Sequence, residues 1–290
     1  MTTERRMSVT GRAATGAVVA AVVLLVAACS DDDSPAAETG EPRREAFDHI
    51  HGLGVVDDLL YVASHKGLFT ISSDGDAAVA SEDDHDFMGF TVADTGELLA
   101  SGHPNSRRDL PGHLGLLEST DGGATWDELS LSGEVDFHAL DASSGSVYGY
   151  DSVSGQLLGS TDRRSWSSLG QVPLADVAIS PDDGATLLIT TEQGPQLSAD
   201  AGKSFAVIDG APLLMLVDWP RTDQLYGISP DGTIHHSIDA GATWEARGNL
   251  GAQPQAMTVS ADGTIYVALE GSIVASSDGG ETFTPYYTAP

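Results

Sequence analysis

Only one of the 290 residues, Cys29, is a cysteine, so no disulfide can form within the chain. Basic residues are also scarce. Thirteen Lys and Arg stand against 43 Asp and Glu, giving a formal net charge of −30. A chain of that sign lacks the basic footprint that a phosphate backbone requires, which excludes nucleic acid as a partner and opposes docking onto anionic headgroups. It favours solubility and a field that concentrates cations near the surface. No apolar run after residue 28 approaches the length of about 20 residues that a membrane-spanning helix needs. Aromatic residues make up only 6% of the chain, so the places where Trp and Phe recur carry information.

Those places belong to a repeat. Ser119-Thr120-Asp121-Gly122-Gly123-Ala124-Thr125-Trp126 returns as Ser198-Ala199-Asp200-Ala201-Gly202-Lys203-Ser204-Phe205, as Ser237-Ile238-Asp239-Ala240-Gly241-Ala242-Thr243-Trp244, and as Ser276-Ser277-Asp278-Gly279-Gly280-Glu281-Thr282-Phe283. A copy one residue short and without glycine is Ser160-Thr161-Asp162-Arg163-Arg164-Ser165-Trp166. The leading serines advance in steps of 41, 38, 39 and 39. A period near forty with several short strands per unit predicts a β-propeller with one four-stranded blade per repeat. The segment from residue 47 divides into six units; a seventh has no room. The expected fold is therefore all-β, a six-bladed propeller over residues 47–290.

The pattern Ser-x-Asp-x-Gly-x-Thr-Trp resembles the Asp-box of sialidase-like BNR-repeat proteins, over most of the chain after residue 46. Asp121, Asp162, Asp200, Asp239 and Asp278 are read as structural. Each accepts backbone N–H bonds inside a turn, glycine supplies a positive φ, and the aromatic inserts between neighbouring strands to staple one hairpin. The first unit carries only a decayed turn, Ser72-Ser73-Asp74-Gly75-Asp76.

The N-terminal segment reads differently. Arg5, Arg6 and Arg12 precede an apolar run over 13–28 that ends in Val26-Ala27-Ala28-Cys29, which resembles a bacterial lipobox. Residues 1–29 are then a lipoprotein signal peptide and Cys29 the lipidation site. Residues 30–46 form a disordered acidic tether. This places the protein at the cell membrane, lipid-anchored on the extracellular side.

Propeller topology sorts residues by face. If the strands of a blade run A to D from the channel outwards, the D–A and B–C connections share an upper face and the Asp-boxes occupy the lower one. Seven of the nine histidines lie between 49 and 138, in the first three blades. His49, His51, His85 and His138 fall at D–A connections or starts of A strands. His65 follows the second strand of the first blade, and His103 and His113 lie in the long B–C insertion of the second. His235 and His236 belong to a C strand. Alignment on the second strands puts His51, Met88 and His138 at one position, with Met215 and Met257 near it. Imidazole with thioether suits a soft or borderline transition metal, above all copper. The candidate ligands are His49, His51, His65, His85, Met88, His103 and His138, with His51, Met88 and His138 as the central set.

Two other classes remain open. The resemblance implies the fold of a sialidase, but an arginine triad is missing: Arg163, Arg164, Arg221 and Arg247 lie at or beside lower-face turns, and only Arg107 and Arg108 could reach the upper mouth. Another glycoside hydrolase, or a glycan-binding propeller, would need a carboxylate pair from Asp48, Asp84, Asp86 and Asp136. A non-catalytic scaffold would present the insertion between Gly102 and His113 to a protein partner.

Overall fold

A computed structural model describes residues 47–105 and 109–289. The expectations for the signal segment, Cys29, the tether, Arg107 and Arg108 lie outside these residues. Among them the chain forms six four-stranded antiparallel sheets, each from one contiguous stretch: 50–79, 86–130, 137–171, 176–207, 216–249 and 256–288. The strands follow one another in sequence from the channel outwards. This is a six-bladed propeller, and no helix occurs among the described residues.

The repeated turns connect third and fourth strands and make one hydrogen-bond pattern. In the second blade Ser119 Oγ donates to Asp121 Oδ1 at 2.9 Å. The same carboxylate accepts the Thr125 amide at 3.0 Å and the Thr125 hydroxyl at 2.6 Å. The turns at Asp200, Asp239 and Asp278 repeat these contacts, and the short one at Asp162 accepts the amides of Arg164 and Ser165.

The aromatic that ends each turn joins blades rather than stapling one hairpin. Trp126 packs on Phe87 of its own blade, ring centroids 5.0 Å apart, in a cluster that includes Leu68 of the preceding blade. Trp166 does the same against Phe137 and, one blade back, Leu99 and Leu116. Phe205, Trp244 and Phe283 fill the next three boundaries. The first blade lacks this aromatic, and its boundary with the sixth is filled differently. Phe47 lies 5.0 Å from Phe69 and 5.1 Å from Tyr287, ring to ring. The ring thus closes by apolar packing, helped by Tyr286 Oη donating to the Ser72 carbonyl, and among the described residues no strand from one end of the chain joins the sheet at the other.

Carboxylates fasten the inner strands. Asp141 accepts the amide of Ile179 in the next blade, Asp176 that of Val217, and Asp218 that of Val259, at 2.8–2.9 Å. Gln255 Oε1 accepts the Ile50 amide at 3.2 Å, completing the step from the sixth blade to the first. The six inner strands surround a channel of about 580 Å³.

Candidate functional site

The inner strands of the first three blades carry a β-bulge near their upper ends. Register slips between Ile50 and Gly52, between Phe87 and Gly89, and opposite Tyr150 and Asp151, leaving His51, Met88 and His138 as the extra residues. A bulge re-aims a side chain that regular pleating would send elsewhere, and all three residues line the channel. Gly102 makes room for the second bulge. Its φ is +147°, and a Cβ there would lie 2.0 Å from the Asp86 carbonyl oxygen and 2.9 Å from the Met88 nitrogen. Counted from the bulges, Leu99 of the second blade stands at the place of Tyr61 in the first, one residue further from its bulge along the chain because the turn between the first two strands is longer. Met88 keeps its place because the bulge is counted from the strand's other end.

The methionine pattern is only partly structural. Met215 occupies the equivalent position in the fifth blade but is not part of the channel lining, and its sulfur lies 4.0 Å from Gln253 Nε2. Met257 falls two residues further along its strand, in register with Leu53, and Gln255 takes the equivalent position.

The expected trio of His51, Met88 and His138 is not how the polar atoms group. They converge in two clusters, each spanning a blade boundary and each containing a carboxylate. In the first, His51 Nε2 lies 3.3 Å from His65 Nδ1. His65 Nδ1 lies 2.8 Å from Asp86 Oδ1, and the His51–Asp86 separation is 3.8 Å. The circle through three atoms so spaced has a radius of about 2.0 Å, the length of a bond from imidazole nitrogen or carboxylate oxygen to a first-row metal ion. Burial above all, with the charges of His65 and His49 adding to it, lowers His51 to about 4, against the pull of Asp86. His51 therefore holds a neutral imidazole at neutral pH.

The second cluster joins His103, Asp136 and His138. Asp136 Oδ2 lies 2.8 Å from His138 Nε2 and 3.3 Å from His103 Nε2, and accepts the Ser152 hydroxyl at 2.9 Å. The Asp136 side chain is 3% exposed, and its Oδ1 is buried with no hydrogen-bond partner. Burial works to raise its pKa, but the hydrogen bonds and charges of His138, Ser152 and His103 together hold it below the ordinary carboxylate range.

The remaining candidates stand apart from these clusters. His49 packs ring to ring against His51 at 4.8 Å and His65 at 5.7 Å without joining the first cluster. His85 is buried, faces the ring of Phe87, and sits 3.3 Å from the Asn105 amide, so burial depresses its pKa and neither cluster includes it. His113 lies 5.7 Å from His103, ring to ring. His235 bonds Ser229, and His236 stacks on Tyr226 at 4.5 Å in the third strand of the fifth blade. Of the carboxylates, Asp48 is paired with Lys66, while Asp86 and Asp136 are engaged by histidine. A glycosidase acid needs a raised pKa, and Asp136 has the opposite. Asp86 and Asp136, weighed in the sequence as a glycosidase pair, instead meet histidines, in contacts that cross from one blade to the next.

No family model and no curated protein sequence matches the chain. Solved structures match it in fold. A gluconolactonase from Xanthomonas campestris aligns at 13% identity over 77% of this chain and 84% of its own, with a TM-score of 0.59. Virginiamycin B lyase from Staphylococcus aureus aligns at 14% identity over 82% and 84%, with a TM-score of 0.55. The WD40 propeller domain of Doa1 aligns at 11% identity over 83% of both chains, with a TM-score of 0.59. Likeness at these identities is likeness of fold: the chain is a six-bladed β-propeller.

Proposed function

We propose that this is an exported, lipid-anchored propeller of the sialidase-like Asp-box type whose upper mouth binds a divalent transition-metal ion through His51, His65 and Asp86. The observation that carries the reading is the spacing of the three ligand atoms, which leaves one point about 2.0 Å from each. Copper is the favoured ion. Among divalent first-row metals it binds nitrogen and oxygen donors most tightly, and the acidic surface concentrates cations of any kind. Elemental analysis and calorimetric titration with copper and zinc test this. His65→Ala and Asp86→Asn should each abolish one equivalent of binding, while His235→Ala keeps it. Equal loss in all three variants would mean non-specific surface binding and overturn the reading.

A hydrolytic role for the same ion is the second reading. Three protein ligands leave a coordination position open, the arrangement of catalytic rather than structural metal sites, and the mouth opens on a channel of about 580 Å³. Because a gluconolactonase is among the structural neighbours, metal-dependent lactone hydrolysis is the first activity to assay. Turnover lost with His65→Ala would support it, and metal binding without turnover on a lactone panel would leave a binding protein. Anchoring through Cys29 has its own test: Cys29→Ser should release the protein from membranes.

A further inference from the structure

We infer a second metal site of different chemistry, between the second and third blades, in which the thioether of Met88 joins His103, Asp136 and His138. The inference rests on the metal-binding reading above and extends it to a softer ion.

Register is the first argument. His65 follows Ser64, which pairs with Ile50 just before the first bulge. His103 follows Gly102, which pairs with Phe87 just before the second bulge. His65 and His103 are therefore the same position one blade apart. Asp86 and Asp136 likewise stand two residues before the bulge residues Met88 and His138. The pair made by a corner histidine and the carboxylate of the next blade is thus used twice, at 2.8 Å and 3.3 Å. In the first copy the bulge residue beside the corner histidine is His51. In the second it is Met88. The position from which His51 meets His65 in the first blade is held by Met88 in the second, with His103 at the place of His65.

Hydrogen bonding supplies an independent argument. His103 Nδ1 lies 3.1 Å from the Gly112 carbonyl, which can only accept, so Nδ1 carries the proton. Nε2 is then the ring nitrogen that faces Asp136 Oδ2, at 3.3 Å, and a cation held between the two atoms would be bound by both. A carbonyl behind the distal nitrogen is also what orients a metal-bound histidine. The unpartnered Oδ1 of the buried Asp136 offers the same cation a second oxygen.

Two imidazoles, a carboxylate and a thioether favour copper, and the thioether favours its cuprous form, whereas the first cluster offers no sulfur. Competition titrations of the purified full-length protein, with Cu(II) and, anaerobically, with Cu(I), test the assignment. The wild type should take up two equivalents of Cu(II), one lost in His65→Ala and the other in His103→Ala. Met88→Leu, which keeps the volume, should retain both Cu(II) equivalents while weakening one Cu(I) equivalent at least tenfold. X-ray absorption of the Cu(I)-loaded wild type should show a sulfur scatterer that Met88→Leu lacks. One equivalent, lost in His65→Ala and untouched in His103→Ala, would leave the first site standing and overturn the second. Two equivalents with no sulfur scatterer would overturn the role of Met88. No binding at all would refute both sites. If His103→Ala does not fold, His103→Gln, which keeps a polar side chain of similar reach, takes its place.

Discussion

The carboxylate of Asp218 in the fifth blade accepts the backbone amide of Val259 in the sixth at 2.8 Å, within the channel lining. Asp176 and Asp141 make the same step one and two boundaries earlier. These bonds compensate only part of the desolvation, and burial, reinforced by the proximity of other channel carboxylates, pushes Asp176 and Asp218 up to about 7.

A pH effect with a definite sign follows. The folded state holds these protons more tightly than the unfolded chain, whose aspartates titrate near 4, so this contribution to stability falls as pH rises from about 4 to about 7. Asp218→Asn keeps an oxygen for Val259 and removes the titration. The melting temperature of the variant relative to the wild type should rise between pH 5 and pH 8. At pH 8 the gain is on the order of 1–3 kcal/mol once solvent screening in the channel is allowed for. His51 contributes a slope of the opposite sign, because it is held low, so the readout is the difference between proteins and not either curve alone. A difference that is flat with pH would show that Asp218 is ionised in the fold at no cost.

The two glycines of the Asp121 turn should respond unequally. Gly122 has a φ of +74°, yet Ala201 and Ala240 hold the same position in other blades at +60° and +56°. Gly123, at +88°, would place a Cβ 2.5 Å from Leu68 Cδ2 in the preceding blade. Gly122→Ala should cost about 1 kcal/mol, the penalty of a left-handed alanine, and Gly123→Ala about 2–4 kcal/mol from strain and overpacking together. Urea denaturation of both variants decides this; equal losses would mean that the turn's backbone, and not the blade contact, sets the requirement.

Ring closure should be the weakest boundary to lose. Phe47→Ala removes the ring between Phe69 and Tyr287 and should cost about 3 kcal/mol or more. Because the first and sixth blades are the one neighbouring pair among the described residues that is not consecutive in sequence, hydrogen exchange should accelerate in 50–79 and 256–288 before the rest. Uniform acceleration would mean that the propeller opens only as a whole.

Histidines on the two faces should separate binding from stability. His65→Ala should lose metal with little change in melting temperature, since its ring is partly exposed. His236→Ala should keep metal but lower the melting temperature, since it removes a ring stacked on Tyr226. The paired measurements are a copper titration and thermal unfolding of each variant.

The sequence by itself determined the blade count, the turn positions and the face on which the histidines gather. Each rests on local periodicity, since a turn's hydrogen bonds lie within the motif that encodes it. It also singled out His51, Met88 and His138 as equivalent positions. Which side chains meet was decided only by tertiary structure. Asp86 reaches His65 from the next blade, and Asp136 reaches His103, across boundaries set by how the sheets pack. The bulges that turn His51, Met88 and His138 into the channel add one residue to a strand without changing its composition, so no residue type announces them. The role of the box aromatics was hidden for the same reason: Trp126 is local to its turn, but the surface it buries belongs partly to the blade before it.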